Sequence, residues 1–181
     1  VRELALTHRN YEQLVALQPG VSYGGGEQLY IGLSTPNGET NTVSYSINGN
    51  SNSANNWTLD GADNVDRGSN LTLLPYPSVD AIAEFKTQRG TFSAEFGRSA
   101  SGQVNVITRS GTNAFHGTAY EFFRNNLLNA NSYLNNRNGI KRPVLRYNDF
   151  GYTLGGPVWI PKMYDGRNKT FFFFSQEFRR V

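Results

Sequence analysis

The sequence holds no cysteine, which excludes disulfides, thiolate nucleophiles and cysteine-based zinc sites together. No stretch approaches the roughly 20 apolar residues of a membrane-spanning helix. The opening Val1-Arg2-Glu3-Leu4 lacks the charged-then-apolar profile of a signal peptide, so we expect a chain cut from a longer precursor. A clustered basic face is missing as well. The 17 basic and 14 acidic residues are scattered and leave a net charge of +3, and no nucleic-acid partner is expected. His8 and His116 stand alone, without carboxylates or a nucleophile at suggestive spacing, so neither a zinc site nor a catalytic triad is expected.

What is present points to strands. The 181 residues suffice for one ordinary core. They include 19 Gly, 12 Phe and 10 Tyr, and Asn is abundant. Gly and Asn tolerate left-handed turns, while Tyr and Phe favour strands. Residues 9–17 have helical spacing, ended by Pro19-Gly20, and 21–40 read as loop, with Gly24-Gly25-Gly26, Pro36 and Asn37-Gly38. The glycine triplet lacks the following Lys-Ser/Thr of a phosphate loop.

Strict alternation predicts a half-buried strand over Thr42 to Ile47, stopped by Asn48-Gly49. A second strand runs from Asn56 to Leu59 and ends at Asp60-Gly61. Residues 62–76 read as a polar loop, 78–82 as a cap or turn, 84–88 as a strand, 92–96 as a helical turn and 102–108 as a strand. Three amphipathic strands follow at 117–124, 148–160 and 170–179, with 161–169 as a hairpin turn. In the middle one Phe150, Tyr152 and Leu154 alternate with Gly151, Thr153 and Gly155; the last places Phe172, Phe174 and Phe178 opposite Ser175 and Glu177. A soluble sandwich alternates in the same way, but the run Phe171 to Phe174 would be an aggregation hazard on one. Lipid-facing barrel strands carry such residues without penalty.

The segment from Asp60 to Arg109 resembles the plug signature of TonB-dependent outer-membrane receptors. Its parts are Leu59-Asp60-Gly61, Pro75-Tyr76-Pro77, Ala81-Ile82-Ala83-Glu84-Phe85 and Gln88-Arg89-Gly90. Ser93-Ala94-Glu95-Phe96-Gly97, Ala100-Ser101-Gly102 and Val104-Asn105-Val106-Ile107-Thr108 complete it. Residues 1–21 and Asn113 to Ala119 resemble the plug entry and the step to the first barrel strand in the Oar-like branch, with Thr7-His8 in place of the usual Asn-Gly. The resemblance implies an α+β plug domain, a small mixed sheet with short helices, at 1–113, and antiparallel strands of an incomplete outer-membrane β-barrel at 114–181. Such barrels have about 22 strands. The expected partners are the rest of the chain's own barrel, outer-membrane lipid, an unknown small or oligomeric substrate, and the TonB-ExbB-ExbD system acting through an upstream segment. No cofactor is expected.

The resemblance also nominates residues. Asp60, Gly61, Ile82, Gly90, Gly97, Gly102 and Asn105 carry the plug signature. Asp66, Arg67, Asn70 and Tyr76 are expected in a substrate-facing loop, where they offer hydrogen bonds and stacking. Glu84, Arg89, Glu95 and Arg98 are expected to contact the barrel wall. Asp60, Asp63 and Asp66 lack the alternate-position oxygens and closing Glu of a calcium loop, and read as turn residues. A glycosidase pair at Glu95 and Glu121 would need a cleft of fixed width, so no enzymatic activity is expected. The alternative is a secreted or surface β-rich adhesion or carbohydrate-binding module.

Overall fold

A computed structural model describes residues 6, 8–24, 34–35, 38–39 and 41–181. The readings of Val1 to Leu4, Thr7, Gly25-Gly26, Pro36 and Asn37 lie outside the described residues. The chain forms two compact units, Val1–Arg109 and Ser110–Val181.

The first unit packs small sheets around one core. Helix α1 (Gln13–Ala16) precedes β1 (Val21–Tyr23), which pairs antiparallel with β4 (Tyr45–Ile47). Between them β2 (Ser34–Thr35) and β3 (Gly38–Glu39) form a short antiparallel pair. The helix is far shorter than 9–17. Arg9 sits at φ 52°, in the left-handed region that no right-handed helix admits, so the helical spacing there reflects burial in a turn. The apolar face of α1 contributes Val15, fully buried beside Tyr11.

A four-stranded sheet follows in the order β6 (Ala62–Asp63), β5 (Asn56–Leu59), β8 (Gly102–Thr108), β7 (Ile82–Arg89). β5 and β8 run parallel, and the other pairs are antiparallel. Alternation puts Trp57, Val104 and Val106 on the core face with Ile82 and, partly buried, Phe85. Burying side chains of this size stabilises a fold by about 1.5–3 kcal/mol each.

Residues 62–76 are more than the expected polar loop. Val65 and Leu73 face each other across an isolated bridge and are both buried in the core, so the segment packs as part of the unit. The expected strand at 42–47 is regular only over Tyr45–Ile47, because Thr42 bridges to Thr72 instead. At 78–82, Ser78 caps a 3-10 turn (Val79–Ala81). Residues 92–96 make only a turn, without a helix.

In the second unit β9 (His116–Asn125), β10 (Arg146–Pro157) and β13 (Phe171–Arg180) form an antiparallel sheet in the order β13-β10-β9. The strands are 10, 12 and 10 residues long. The β9 to β10 connection holds a 3-10 turn (Asn126–Leu128) and helix α2 (Tyr133–Arg137), capped by Ser132. Sequence reasoning assigned nothing there. The strand expected to reach residue 160 stops at Pro157; β11 (Trp159–Ile160) then pairs with β12 (Tyr164–Asp165) to build the hairpin back to β13.

Candidate functional site

The two faces of the three-stranded sheet differ in chemistry, and register shows how. Asn148, Phe150, Tyr152 and Leu154 share one face with Phe123 of β9 and Phe174 and Phe178 of β13. Phe150 stacks on Phe178 with ring centroids 5.3 Å apart, Tyr152 lies 5.9 Å from Phe174, and the Arg180 guanidinium sits over Phe150. Phe123, Tyr152, Leu154 and Phe174 remain exposed. A continuous aromatic face of this kind is foreign to water but suited to hydrocarbon.

The opposite face is polar. Arg179 Nη2 lies 2.7 Å from Glu177 Oε1, its Nε lies 3.4 Å from Asp149 Oδ2, and all three side chains are largely buried. Tyr120 donates to Glu177 Oε2 at 3.0 Å, and the hydroxyls of Thr118 and Thr153 are 2.8 Å apart. The alternation of apolar and polar faces expected for these strands is therefore present on β10 and along most of β13, and is weaker on β9. The separation has exceptions: Glu121, Gln176 and Arg180 lie on the aromatic face, and Phe122 and Phe173 lie on the polar one.

The first unit carries a second polar surface, on the face of its four-stranded sheet that turns away from the core. Thr58 and Gln103 both donate to Asn105 Oδ1, at 2.7 and 3.1 Å, and Asn105 Nδ2 donates to Gln88 Oε1 at 3.1 Å. Loop residues 95–98 and this ladder border an open cleft of about 620 Å³. The loop is tied down by Arg98, whose Nη1 lies 2.9 Å from Asp63 Oδ2; Asp63 also pairs with Arg67. Asn56 and Gln103 line the cleft. Their side-chain oxygens Oδ1 and Oε1 are buried without a hydrogen-bond partner.

Six of the seven signature positions have a local physical reason. Asp60 and Gly61 form the two-residue β5–β6 turn at φ 50° and 82°, the left-handed pair such a hairpin requires. The Asp60 carboxylate accepts from Thr108 N at 2.7 Å and Thr108 Oγ1 at 2.8 Å, fastening the turn to the end of β8. A Cβ at Gly102 would lie 2.3 Å from Ile47 Cδ1. Gly90 has φ 85°, Ile82 is in the core, and Asn105 centres the polar ladder. Nothing in the structure explains Gly97.

The residues nominated for substrate contact are heavily engaged within the unit. Asp66 accepts from Gly68 N, Ser69 N, Ser69 Oγ and Thr72 N. The Ser69 hydroxyl above all, with Ser69 N, holds its carboxyl well below the usual carboxylate range. Asn70 donates to the carbonyls of Ser53 and Asn55, and Tyr76 donates to Glu12. Arg67 is paired with Asp63. Of the four charges nominated for wall contact, Glu84, Glu95 and Arg98 line the cleft, whereas Arg89 donates to the Pro19 carbonyl. Sequence reasoning missed the cleft residues Asn56, Thr58, Gln103 and Lys86. Polar residues alternating at 56/58 and 103/105 were the available signal.

Among the described residues no helix is long and apolar enough to cross a membrane, which says nothing of crossing by strands. No group of three or more His, Asp or Glu among them could hold a metal ion.

Residues 107–181 match the family model of an outer membrane beta barrel domain. Across 163 residues, 84% of this chain, the sequence is 27% identical to the TonB-dependent transporter Oar of Myxococcus xanthus. The chain spans about 15% of that protein's length. The sheet with one aromatic and one polar face lies inside the segment matched to the barrel model, and the similarity to Oar extends well beyond that segment. The chain is a relative of the TonB-dependent receptors of the bacterial outer membrane.

Proposed function

We propose that residues 1–113 are the plug of an energy-coupled outer-membrane transporter and that residues 114–181 begin the barrel that surrounds it. The observation that carries this reading is the β9–β10–β13 sheet, whose strands have the length and the apolar-out, polar-in alternation of a tilted membrane sheet. An open sheet leaves edge N–H and C=O groups unpaired in lipid, so further strands must close it. The compact unit before the sheet supplies what a barrel lumen needs as filling: an apolar core of its own and a polar outer surface.

In this reading the protein carries out no chemistry. The plug blocks the pore until substrate on one side and the TonB-ExbB-ExbD system on the other rearrange it. Arg89 and Arg98 spend their bonds on partners within the first unit, at its surface, while Glu84 and Lys86 on the edge strand β7 are the charges the plug offers to the barrel wall. The loop from Asn64 to Tyr76 faces substrate as a preformed surface, because the bonds of Asp66 and Asn70 fix its shape.

The test is deletion of residues 1–109 from the whole receptor in its own membrane. A plug predicts a barrel that still inserts but conducts freely, seen as large constant conductance in planar bilayers and as sensitivity to bulky antibiotics. A deletion that inserts and stays closed would refute the assignment.

A further inference from the structure

We propose that the connection between β9 and β10, with the adjoining end of the aromatic face, is a docking surface for anionic, phosphate-bearing lipid in the leaflet at that end of the sheet. The proposal rests on the reading of β9–β10–β13 as a membrane sheet.

The first support is an inside-out arrangement of side chains. A loop meant for water turns its amides outward and shelters its apolar groups. Here three half-buried asparagines brace the backbone instead. Asn131 Nδ2 donates to the Ile140 carbonyl and to Asn136 Oδ1, both at 2.9 Å, and Asn135 Nδ2 donates to Asn131 Oδ1 at 3.2 Å. Asn125 Oδ1 accepts from Leu127 N at 2.9 Å. Leu127, Leu128, Tyr133, Leu134, Ile140 and Val144 are left 54–78% exposed on this preformed frame. Apolar groups gathered in this way mark an interaction surface.

The second support is charge. Residues 122–148 contain Arg124, Arg137, Lys141, Arg142 and Arg146 and no acidic residue, a concentration that the near balance over the whole chain hides. Arg137, Lys141 and Arg146 are exposed, and no ion pair among the described residues involves them.

The third is continuity with the aromatic face. Alternation puts Arg146 in one row with Asn148, Phe150, Tyr152 and Leu154, and Arg180, the register partner of Asn148, on the same face. Arg180 also reaches over the Phe150 ring. Glu121, the one carboxylate on that face, pairs with neither. The face thus ends in cations beside the connection, whereas toward its other end Leu154 pairs with Gly117 and Phe174 and no charge follows within the three strands. Long basic side chains at the edge of an apolar surface carry their charge to the level of lipid headgroups. An acidic protein would meet the cations and leave the apolar groups in water. A neutral lipid would cover the apolar groups and leave the cations without counter-charge. An anionic lipid does both.

The experiment uses the whole receptor, freed of any other cysteine, with a fluorophore at Tyr133→Cys or, separately, at Phe174→Cys. It is reconstituted in vesicles of phosphatidylcholine alone or of phosphatidylcholine and phosphatidylglycerol in equal parts. Nitroxide lipids, labelled near the top of the acyl chain for the first site and deeper for the second, quench a fluorophore that touches lipid. At Tyr133→Cys we expect quenching about twofold stronger or more in the anionic vesicles, because each cation at an anionic surface favours contact roughly fivefold. Joint substitution of Arg137→Gln, Lys141→Gln and Arg146→Gln, or high salt, should remove that difference. Quenching at Phe174→Cys should be the same in both vesicles. Equal quenching at Tyr133→Cys in the two vesicles, no quenching in either, or a difference that survives the joint substitution would overturn the proposal, while quenching at Phe174→Cys keeps the membrane sheet. Absence of quenching at Phe174→Cys would overturn the membrane sheet and this proposal with it.

Discussion

The Tyr120 hydroxyl on β9 reaches Glu177 on β13 by crossing the intervening strand directly over Gly151, which is the register partner of both residues. The bond joins the two outer strands of the sheet without using β10. It exists because position 151 has no side chain: a Cβ there would lie 2.6 Å from the Tyr120 hydroxyl and 2.4 Å from the Gln176 carbonyl. Gly151→Ala should therefore destabilise the sheet more than Tyr120→Phe, which loses only a bond of about 1.5–3 kcal/mol to a charged acceptor. The shift in temperature of heat-modifiable migration on gels measures both, and equal shifts would show that the crossing is unimportant.

Lipid exposure of the aromatic face is directly measurable. With Phe174 and Ser175 on opposite faces of β13, Phe174→Trp should be quenched by brominated lipid and Ser175→Trp should not. Equal quenching would mean that the faces are not separated by the membrane.

The buried pair of Arg9 with Asp80 fixes the chain entry to the cap before β7. Removing one member strands the other charge, so Arg9→Met or Asp80→Leu alone should cost about 3–5 kcal/mol in urea unfolding. The double substitution should recover a large part of that loss.

Acid should leave the loop at 64–76 intact longer than its composition suggests. Asp66 has a depressed carboxyl, so its contribution is fully present above the unfolded value of about 3.9 and is lost only as pH falls below that toward its folded value. Its carboxyl carbon should show no NMR titration step near pH 4, while a freely solvated Asp would. At the other extreme, burial foremost and the Glu12 charge second hold the Tyr11 phenol well above its ordinary value of 10.0. Since the unfolded chain loses that proton first, stability should fall as pH rises past about 10.

Much of the architecture was legible because alternation survives wherever one face is buried or lipid-facing: Asn56 to Leu59, Gly102 to Thr108 and the three long strands stand close to where periodicity puts them. The failures share a cause. Val65 sits among polar turn residues and Leu73 in a short apolar run with no period, and only their mutual bridge, formed through space, reveals them as core. Likewise the helical spacing around Tyr11 records burial without helix, because Arg9 turns left-handed to meet Asp80, a partner 71 residues away. At the cleft, the signature residues Gly61, Gly97 and Asn105 were visible, but the burial of Asn56 and Gln103 depends on which neighbours their amides meet.

The parallel pairing of β5 with β8 has a kinetic consequence. Asn56 meets Gln103 only after the residues between them have been gathered into a closed loop, whereas β10 and β13 are joined by a short hairpin and can zip at once. Long-range parallel contacts are slow to form. The aromatic strands will thus be ready to associate while the first unit is still searching for its central pair. The nascent chain must therefore be shielded from aggregation during that interval, and substitutions that speed β5–β8 closure should raise the yield of inserted protein.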